Sequence, residues 1–260
     1  MWWAPHVDVL RLFDDQLRDR LAPGDESERV GPVLRNDRHG FIGYRDLGGL
    51  DGAELDAFIA AQRDHFAARQ QRFEWKYYAH DLPKDLPERL TAAGLRPDPP
   101  ETVMIGAALP LAAPPQLPPG VRLREVTTRA DLERIRAMKE VVWGTDLSWL
   151  PDTLERELSG DGDTVVVVVA EAGDDIVCGG WIRFHDATDF ASLWGGSTHP
   201  DWRRKGIYRA TVAYRAGLAV DRGFRYLQVD ASDDSRPILE RLGMRPVATT
   251  VPYLWRPEGS

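Results

Sequence analysis

The stretch Trp194-Gly-Gly-Ser-Thr-His-Pro-Asp-Trp-Arg-Arg-Lys-Gly-Ile-Tyr-Arg-Ala210 decides the fold. Its first residues close a strand, Pro200-Asp201 makes a turn, and a helix is predicted to begin near Arg204 and run to Arg222. Ile207, Ala210, Tyr214, Gly217 and Leu218 fall on one stripe at helical spacing. At such a helix start the first-turn N–H groups lack partners, and the positive end of the helix dipole adds to their field. Gly206 allows a ligand to approach the backbone closely, and Arg203, Arg204 and Lys205 contribute three cations, so the segment reads as an anion site of pyrophosphate size. A solvated charge run at a helix start is the competing reading.

Working outward, the C-terminal half predicts a strand at Val121 to Val126, a helix at Arg129 to Trp143 and a short helix at Pro151 to Leu158. Strands follow at Thr164 to Glu171, Ile176 to Phe184 and Phe190 to Thr198. Beyond the decisive helix come a strand at Arg225 to Ala231, a helix at Arg236 to Leu242 and a last strand at Pro246 to Trp255. The order implies a mixed α/β sheet.

Upstream, Leu109 to Gly120 is rich in proline, which stiffens the chain and removes hydrogen-bond donors. It is read as a linker (111–120) between a first domain (1–110) and a second (121–260). The first domain predicts a helix at Val7 to Leu21 and a hairpin over Gly31 to Leu47. An amphipathic helix at Ala53 to Gln70 carries Leu55, Phe58, Ile59, Gln62 and Phe66 on one face. A strand (Arg72 to Ala79), a short helix (Leu86 to Ala93) closed by Gly94, and a strand (Thr102 to Leu109) complete it. Both halves end in hairpin, long helix, strand, short helix with glycine, and strand, which suggests a degenerate internal duplication; ordinary α/β alternation is the alternative. The turn before the first long helix, Asp46-Leu-Gly-Gly-Leu-Asp-Gly-Ala-Glu54, is acidic where the second half is basic, so only the second half is expected to hold a phosphate.

Composition narrows the function classes. The 260 residues contain 43% hydrophobic residues, enough for a packed core, and the apolar run Val165 to Ala170 is far short of the ~20 residues of a membrane span. With no signal-like N-terminus, a cytoplasmic location and no membrane partner are expected. The one cysteine, Cys178, excludes an intrachain disulfide and a cysteine-based metal cluster, so no metal is expected. A net charge of -8 argues against nucleic acid.

The decisive stretch resembles the GNAT superfamily of N-acetyltransferases, whose signature is a strand, a proline-containing turn and R/Q-x-x-G-x-G/A opening a helix; here it reads Arg203-x-x-Gly206-x-Tyr208. Leu227-Gln-Val-Asp-Ala-Ser-Asp-Asp-Ser-Arg-Pro-Ile-Leu-Glu-Arg-Leu-Gly-Met244 resembles the strand and helix that form the other wall of that family's coenzyme cleft. The resemblance implies a complete GNAT fold in the C-terminal domain and a partial, degenerate GNAT-like domain before it. It implies acetyl-CoA held by Gly196, Ser197, Thr198, Arg203, Arg204, Lys205, Gly206, Ile207 and Tyr208, with Ser232 and Ser235 on the opposite wall. The expected reaction is transfer of an acetyl group to the amine of a small molecule in a ternary complex, by a monomer or homodimer; a non-catalytic acyl-CoA sensor is the alternative.

The chain departs from the family at two positions. Leu239 stands where many members carry a tyrosine acid, and Ser192 where some carry a carboxylate base. An amine acceptor must lose a proton and the leaving sulfur must be stabilised, so substitutes are sought near the cleft. Asp230, Ser232, His185, His199 and Tyr253 are the available groups, with Tyr253, Asp230 and His199 preferred in that order. Each also has a structural reading: Tyr253 as a core aromatic, Asp230 as a loop cap, His199 as a turn residue. Cys178 is read as a buried strand residue. Trp143, Trp149 and Trp181, with Asp146 and Glu155 nearby, fall where the family places its acceptor pocket; core packing is the competing reading for the aromatics.

Overall fold

The computed structural model describes residues 8–18, 20, 27–114, 116–160 and 164–257. Val7, Asp19 and Leu21 of the expected first helix, and Pro115 of the proline-rich stretch, lie outside the described residues. In chain order the elements are α1 (Val9–Phe13) with a π turn at Asp14–Arg18, β1 (Ser27–Val30), β2 (Val33–Asn36), β3 (Phe41–Tyr44), α2 (Gly52–Ala68), β4 (Phe73–Tyr78), α3 (Leu86–Ala92), β5 (Arg96–Pro97), β6 (Glu101–Ala107) and α4 (Ala108–Leu111). They continue with β7 (Val121–Val126), α5 (Arg129–Trp143), α6 (Leu150–Leu158), β8 (Val165–Ala172), β9 (Asp175–Phe184), β10 (Phe190–Thr198), a 3-10 turn at Pro200–Trp202, α7 (Ile207–Asp221), β11 (Tyr226–Ala231), α8 (Arg236–Leu242) and β12 (Arg245–Trp255). None of the described helices is long and apolar enough to cross a membrane.

These elements form two compact units whose segments interleave along the chain. The first holds the described residues up to Met104 with Asp230–Arg236 and the segment from Pro246 onward; the second holds Ile105–Val229 and Pro237–Arg245. The chain changes unit within β6 rather than in the proline-rich stretch. β12 joins the first unit because its partners are there: it runs antiparallel to β4, from Thr250↔Tyr78 to Trp255↔Phe73, and β5 pairs with it at Tyr253↔Pro97.

In the first unit β1, β2 and β3 form an antiparallel meander, and α2 then carries the chain to β4, parallel to β3 at Phe41↔Glu74 and Ile42↔Trp75. The α2 stripe works as its spacing predicts. Leu55, Ile59, Gln62 and Phe66 are buried, and Phe58 packs at the margin of a core with Ile42, Trp75, Leu90 and Tyr253. Phe66 stacks on Phe73 at 4.5 Å between centroids. Burying each such aromatic contributes ~1.5–3 kcal/mol.

In the second unit β7, β8, β9 and β10 are successively antiparallel, and β11 lies parallel to β10. The valine run of β8 is buried along almost its whole length, as a strand covered on both faces requires. One face, with Val165, Val167, Val169 and Trp181, packs on Leu132, Ile135 and Met138 of α5 and Leu150 and Leu154 of α6. Ala170 and Cys178 on the other face pack with Ile207 of α7.

Both units thus contain a hairpin, a crossover helix and a parallel strand, followed by a short helix ended by a left-handed glycine, Gly94 at φ +92 and Gly243 at φ +101. The repeated order is that of a tandem fold.

Candidate functional site

The site begins where β10 leaves the sheet. His199 N–H still donates to Val177 O at 2.9 Å, and Pro200–Trp202 makes one 3-10 turn in which Trp202 N–H donates to His199 O at 2.9 Å. The chain then passes through two left-handed residues, Arg204 at φ +62 and Gly206 at φ +80. This is why α7 starts at Ile207, the first residue of its apolar stripe, and three residues later than the expected start near Arg204: Gly206 is its N-cap. A Cβ on Gly206 would meet nothing closer than Gln116 O at 3.9 Å, so backbone conformation rather than crowding calls for glycine there. Arg203, Arg204 and Lys205 are exposed around this helix start. Arg203 Nε donates to Thr198 O at 3.3 Å, and Lys205 Nζ lies 4.3 Å from the Trp202 ring centroid. Open first-turn N–H groups with three cations in the preceding loop favour a polyphosphate.

The parallel pairing of β10 with β11 covers Phe190↔Tyr226, Ala191↔Leu227 and Ser192↔Gln228 and then stops, although β10 continues to Thr198. Beyond Ser192 no strand among the described residues pairs with the β11-facing edge of β10, an edge that an amide-bearing ligand could pair with. The split coincides with a bulge. The β9–β10 register shifts between Trp194 and Ser197, with Gly195 at φ +58.

Two buried cations hold the bulge. From α5, Lys139 Nζ donates to Gly195 O and to Ser197 Oγ, the latter at 2.9 Å. From α7, Arg215 donates to Trp181 O at 3.1 Å and Trp194 O at 3.4 Å, and back to Thr211 O at 3.0 Å. The neighbouring glycines make the room: a Cβ on Gly180 would stand 2.8 Å from Arg215 Nη1, and one on Gly195 would overlap the Trp181 ring at 2.2 Å. Burial, with Arg215 close by, pushes the Lys139 ammonium down to about 7. Tyr208 lays its ring against Gly196, where a Cβ would stand 2.8 Å from Tyr208 Cε2. Its bulk is thus directed onto the strand, and the same packing raises its phenol above the ordinary value.

Residues 131–244 match the acetyltransferase (GNAT) family model. They belong to that family. Across the whole chain, a GCN5-related N-acetyltransferase from Kribbella flavida has the same fold, at 19% identity over 96% of this chain and 95% of that one, with a TM-score of 0.68. A functionally unknown conserved protein from Staphylococcus epidermidis matches at 12% identity over 94% and 97% of the two chains, with a TM-score of 0.69. A tandem GNAT protein from the clavulanic acid biosynthesis pathway matches at 14% identity over 88% and 78%, with a TM-score of 0.58. No curated protein matches the chain in sequence. GNAT proteins generally use acetyl-CoA, and the open helix start, its cations and the unpaired strand edge suit that coenzyme's phosphates and amides.

The remaining expected residues divide between the units. Within the GNAT domain, His199 is partly exposed, with Nδ1 3.4 Å from the N–H of Asp201, as a turn cap would be. Trp181 is buried against α5 and α6, and its indole N–H has no acceptor among the described residues. Trp143 and Trp149 are 55% and 48% exposed, so they are surface aromatics and not core. Asp146 is engaged locally, accepting from Ser148 N at 2.9 Å and Ser148 Oγ at 3.1 Å, and Glu155 pairs with Arg129 at 3.0 Å.

In the first unit, Asp230 accepts from buried Lys76 Nζ at 2.5 Å, with Glu101 3.6 Å from the same ammonium. Burial works against the Lys76 ammonium, but Asp230, Glu74 and Glu101 outweigh it and raise the group above its ordinary value. Ser232 and Ser235 lie 3.3 Å apart at their hydroxyls, and Ser232 O accepts the Arg236 N–H at 2.9 Å, opening α8. Tyr253 is buried and meets Tyr77 edge-on at 6.4 Å; burial raises its phenol.

Lys139 and Arg215 escaped the sequence reading. Lys139 continues the apolar stripe Leu132, Ile135, Met138 of α5, a visible signal of burial. On α7 the buried face runs through Ile207, Thr211, Arg215 and Ala219, displaced from the expected stripe; Tyr214 instead bonds Glu125 at 2.8 Å.

Proposed function

We propose that the chain binds acetyl-CoA in the second unit, with its phosphates at Arg203 to Tyr208, and transfers the acetyl group to the amine of a small molecule. The observation that carries this reading is the coincidence of the left-handed Gly206 cap and its three cations with a strand edge released at Ser192, leading to that same helix start. From Ser192 to Thr198 the released edge spans ~20 Å of extended chain, of the order of a pantetheine arm. Gly196, Ser197 and Thr198 are the backbone partners in this reading. The exposed Trp143 and Trp149, with Trp181 beneath, favour an acceptor with an aromatic or apolar body.

Thermal denaturation tests it. Saturating acetyl-CoA, at about a hundred times its Kd, adds ~2.7 kcal/mol and raises the midpoint by about 5–10 °C, while ATP and NAD at the same concentration do not reproduce the shift. No shift with acetyl-CoA defeats the proposal. A second reading, a non-catalytic acyl-CoA sensor, is favoured by Leu239, fully buried where a tyrosine acid is familiar. Thiol release across a panel of amines separates the two, since a sensor binds the coenzyme without turnover.

A further inference from the structure

We propose that Trp194 is the platform on which the acceptor's body stacks, and that the preferred acceptor is therefore a planar aromatic amine; the inference rests on the acyl-transfer reading above. Trp194 stands on β10 two residues past Ser192, the last residue paired with β11. In that reading the phosphates lie at the start of α7 and the pantetheine arm runs back along the released edge from Thr198 toward Ser192. The acyl end then arrives at the level of Trp194. Strand alternation puts Trp194 and Ser192 on the same face as their cross-strand partners Trp181 and Arg183. On that face Trp181 is buried against α5 and α6, whereas Trp194, one strand nearer the split, is 39% exposed. The helices thus leave the face open beside the acyl end.

The ring is held before any ligand arrives. Its indole N–H donates to Ser192 Oγ at 2.6 Å, and His185 Nε2 lies 2.8 Å from the same hydroxyl. The Arg183 guanidinium lies over the ring, 4.6 Å from its centroid, and Arg183 donates to Glu157 of α6 through two bonds of 2.9 and 2.8 Å. One face and the N–H edge are therefore taken, so the exposed part of the ring is its second face and its benzo edge. Fixing the side chain in advance removes the rotamer entropy that a mobile tryptophan would lose on binding.

The cation behind the ring decides what stacks in front of it. An indole face attracts positive charge, and Arg183 already takes up that attraction from the rear, so an ammonium on the open face would be opposed across the ring by a like charge. An uncharged aromatic ring meets no such repulsion and gains an offset or edge-on contact beyond the area it buries. The acceptor accordingly lays its aromatic body on Trp194 and carries its amine off the indole, toward the strand split and the acyl carbon. Trp194 is a specificity-determining residue in this arrangement, with Arg183 and Glu157 positioning it.

The test uses acetyl-CoA with 2-phenylethylamine and 2-cyclohexylethylamine, which share the ammonium and the linker and differ in the π system. Wild type prefers the phenyl amine by about 2–10-fold in kcat/KM, and the preference lies in KM, because a stacked ring is held alike in the ground and transition states. Trp194→Leu erases the preference, and Trp194→Phe, which keeps a ring without the N–H, restores part of it. A merely structural role for Trp194 would slow both amines together and leave their ratio alone, which overturns the platform, as does a wild-type ratio of one or below. Independently of turnover, the indole NMR signal lost in Trp194→Phe moves further with 2-phenylethylamine than with 2-cyclohexylethylamine when each is added to wild-type protein saturated with coenzyme A. An unmoved signal, or equal movement with the two amines, overturns the proposal even where neither amine is acetylated. Absence of a thermal shift with acetyl-CoA in wild type overturns instead the reading beneath it.

Discussion

The crossovers β3–α2–β4 and β10–α7–β11 join parallel strands through a long helix, yet their turns carry opposite charge. Into the first turn of α2 the chain reads Asp46 to Glu54, where Asp46 accepts the Gly48 N–H at 2.6 Å and the N-cap is Asp51. Before α7 it carries Arg203, Arg204 and Lys205 and is capped by Gly206. The same strand–helix–strand plan therefore carries charge that opposes a polyphosphate in one unit and charge that favours one in the other. The buried lysines differ in the same sense. Lys76 is balanced by Asp230 and Glu101, whereas Lys139 has carbonyls and a hydroxyl for partners. Carboxylates hold the proton on Lys76; burial without one loosens it on Lys139.

The largest expected effect comes from removing the balanced lysine. Lys76→Met leaves two carboxylates of the first unit facing each other without the ammonium and should cost ~3–5 kcal/mol in urea denaturation. Adding Asp230→Leu should recover much of it. If Lys76→Met proves neutral, the contrast between the lysines is wrong.

A smaller effect distinguishes Lys139. Its folded-state value of about 7 lies below the ordinary 10.5, so between these the unfolded chain binds a proton that the folded chain does not. Stability must then rise with pH above about 7, by up to ~1.4 kcal/mol per pH unit, and be flat in this contribution below it. Buried Cys178, whose thiol is raised, opposes this above the ordinary thiol range, so the usable window is about pH 7 to 8.5. Lys76, raised, contributes no slope in that window. Urea titrations across it should show a steeper rise for wild type than for Lys139→Met, and parallel curves would refute the assignment.

Much of this architecture was legible in the sequence because its long elements are strongly periodic. β7, α5 and β10 have the bounds that their patterns predict. The start of α7 was misplaced because hydrophobic spacing carries no information about the left-handed backbone at Arg204. β1 was missed because Ser27–Val30 is a short polar strand, partly exposed, without an apolar alternation to read. The basic, glycine-capped helix start was readable because charge, glycine and helix start are contiguous in sequence. The groups around Ser192 were not: Trp194 and His185 meet its hydroxyl through the β9–β10 hairpin, and Lys139 and Arg215 reach adjacent carbonyls from two helices. Tertiary juxtaposition of that kind leaves at most a hint, such as a lysine on an apolar stripe.

The central claim is that the start of α7 holds the coenzyme phosphates, and calorimetric titration of acetyl-CoA into wild-type protein and Gly206→Asp tests it most directly. One site in the wild type, weakened at least about tenfold by a carboxylate placed at the helix cap, ~1.4 kcal/mol or more, is the predicted result. Equal affinity in the two proteins, or no binding to the wild type, would contradict it.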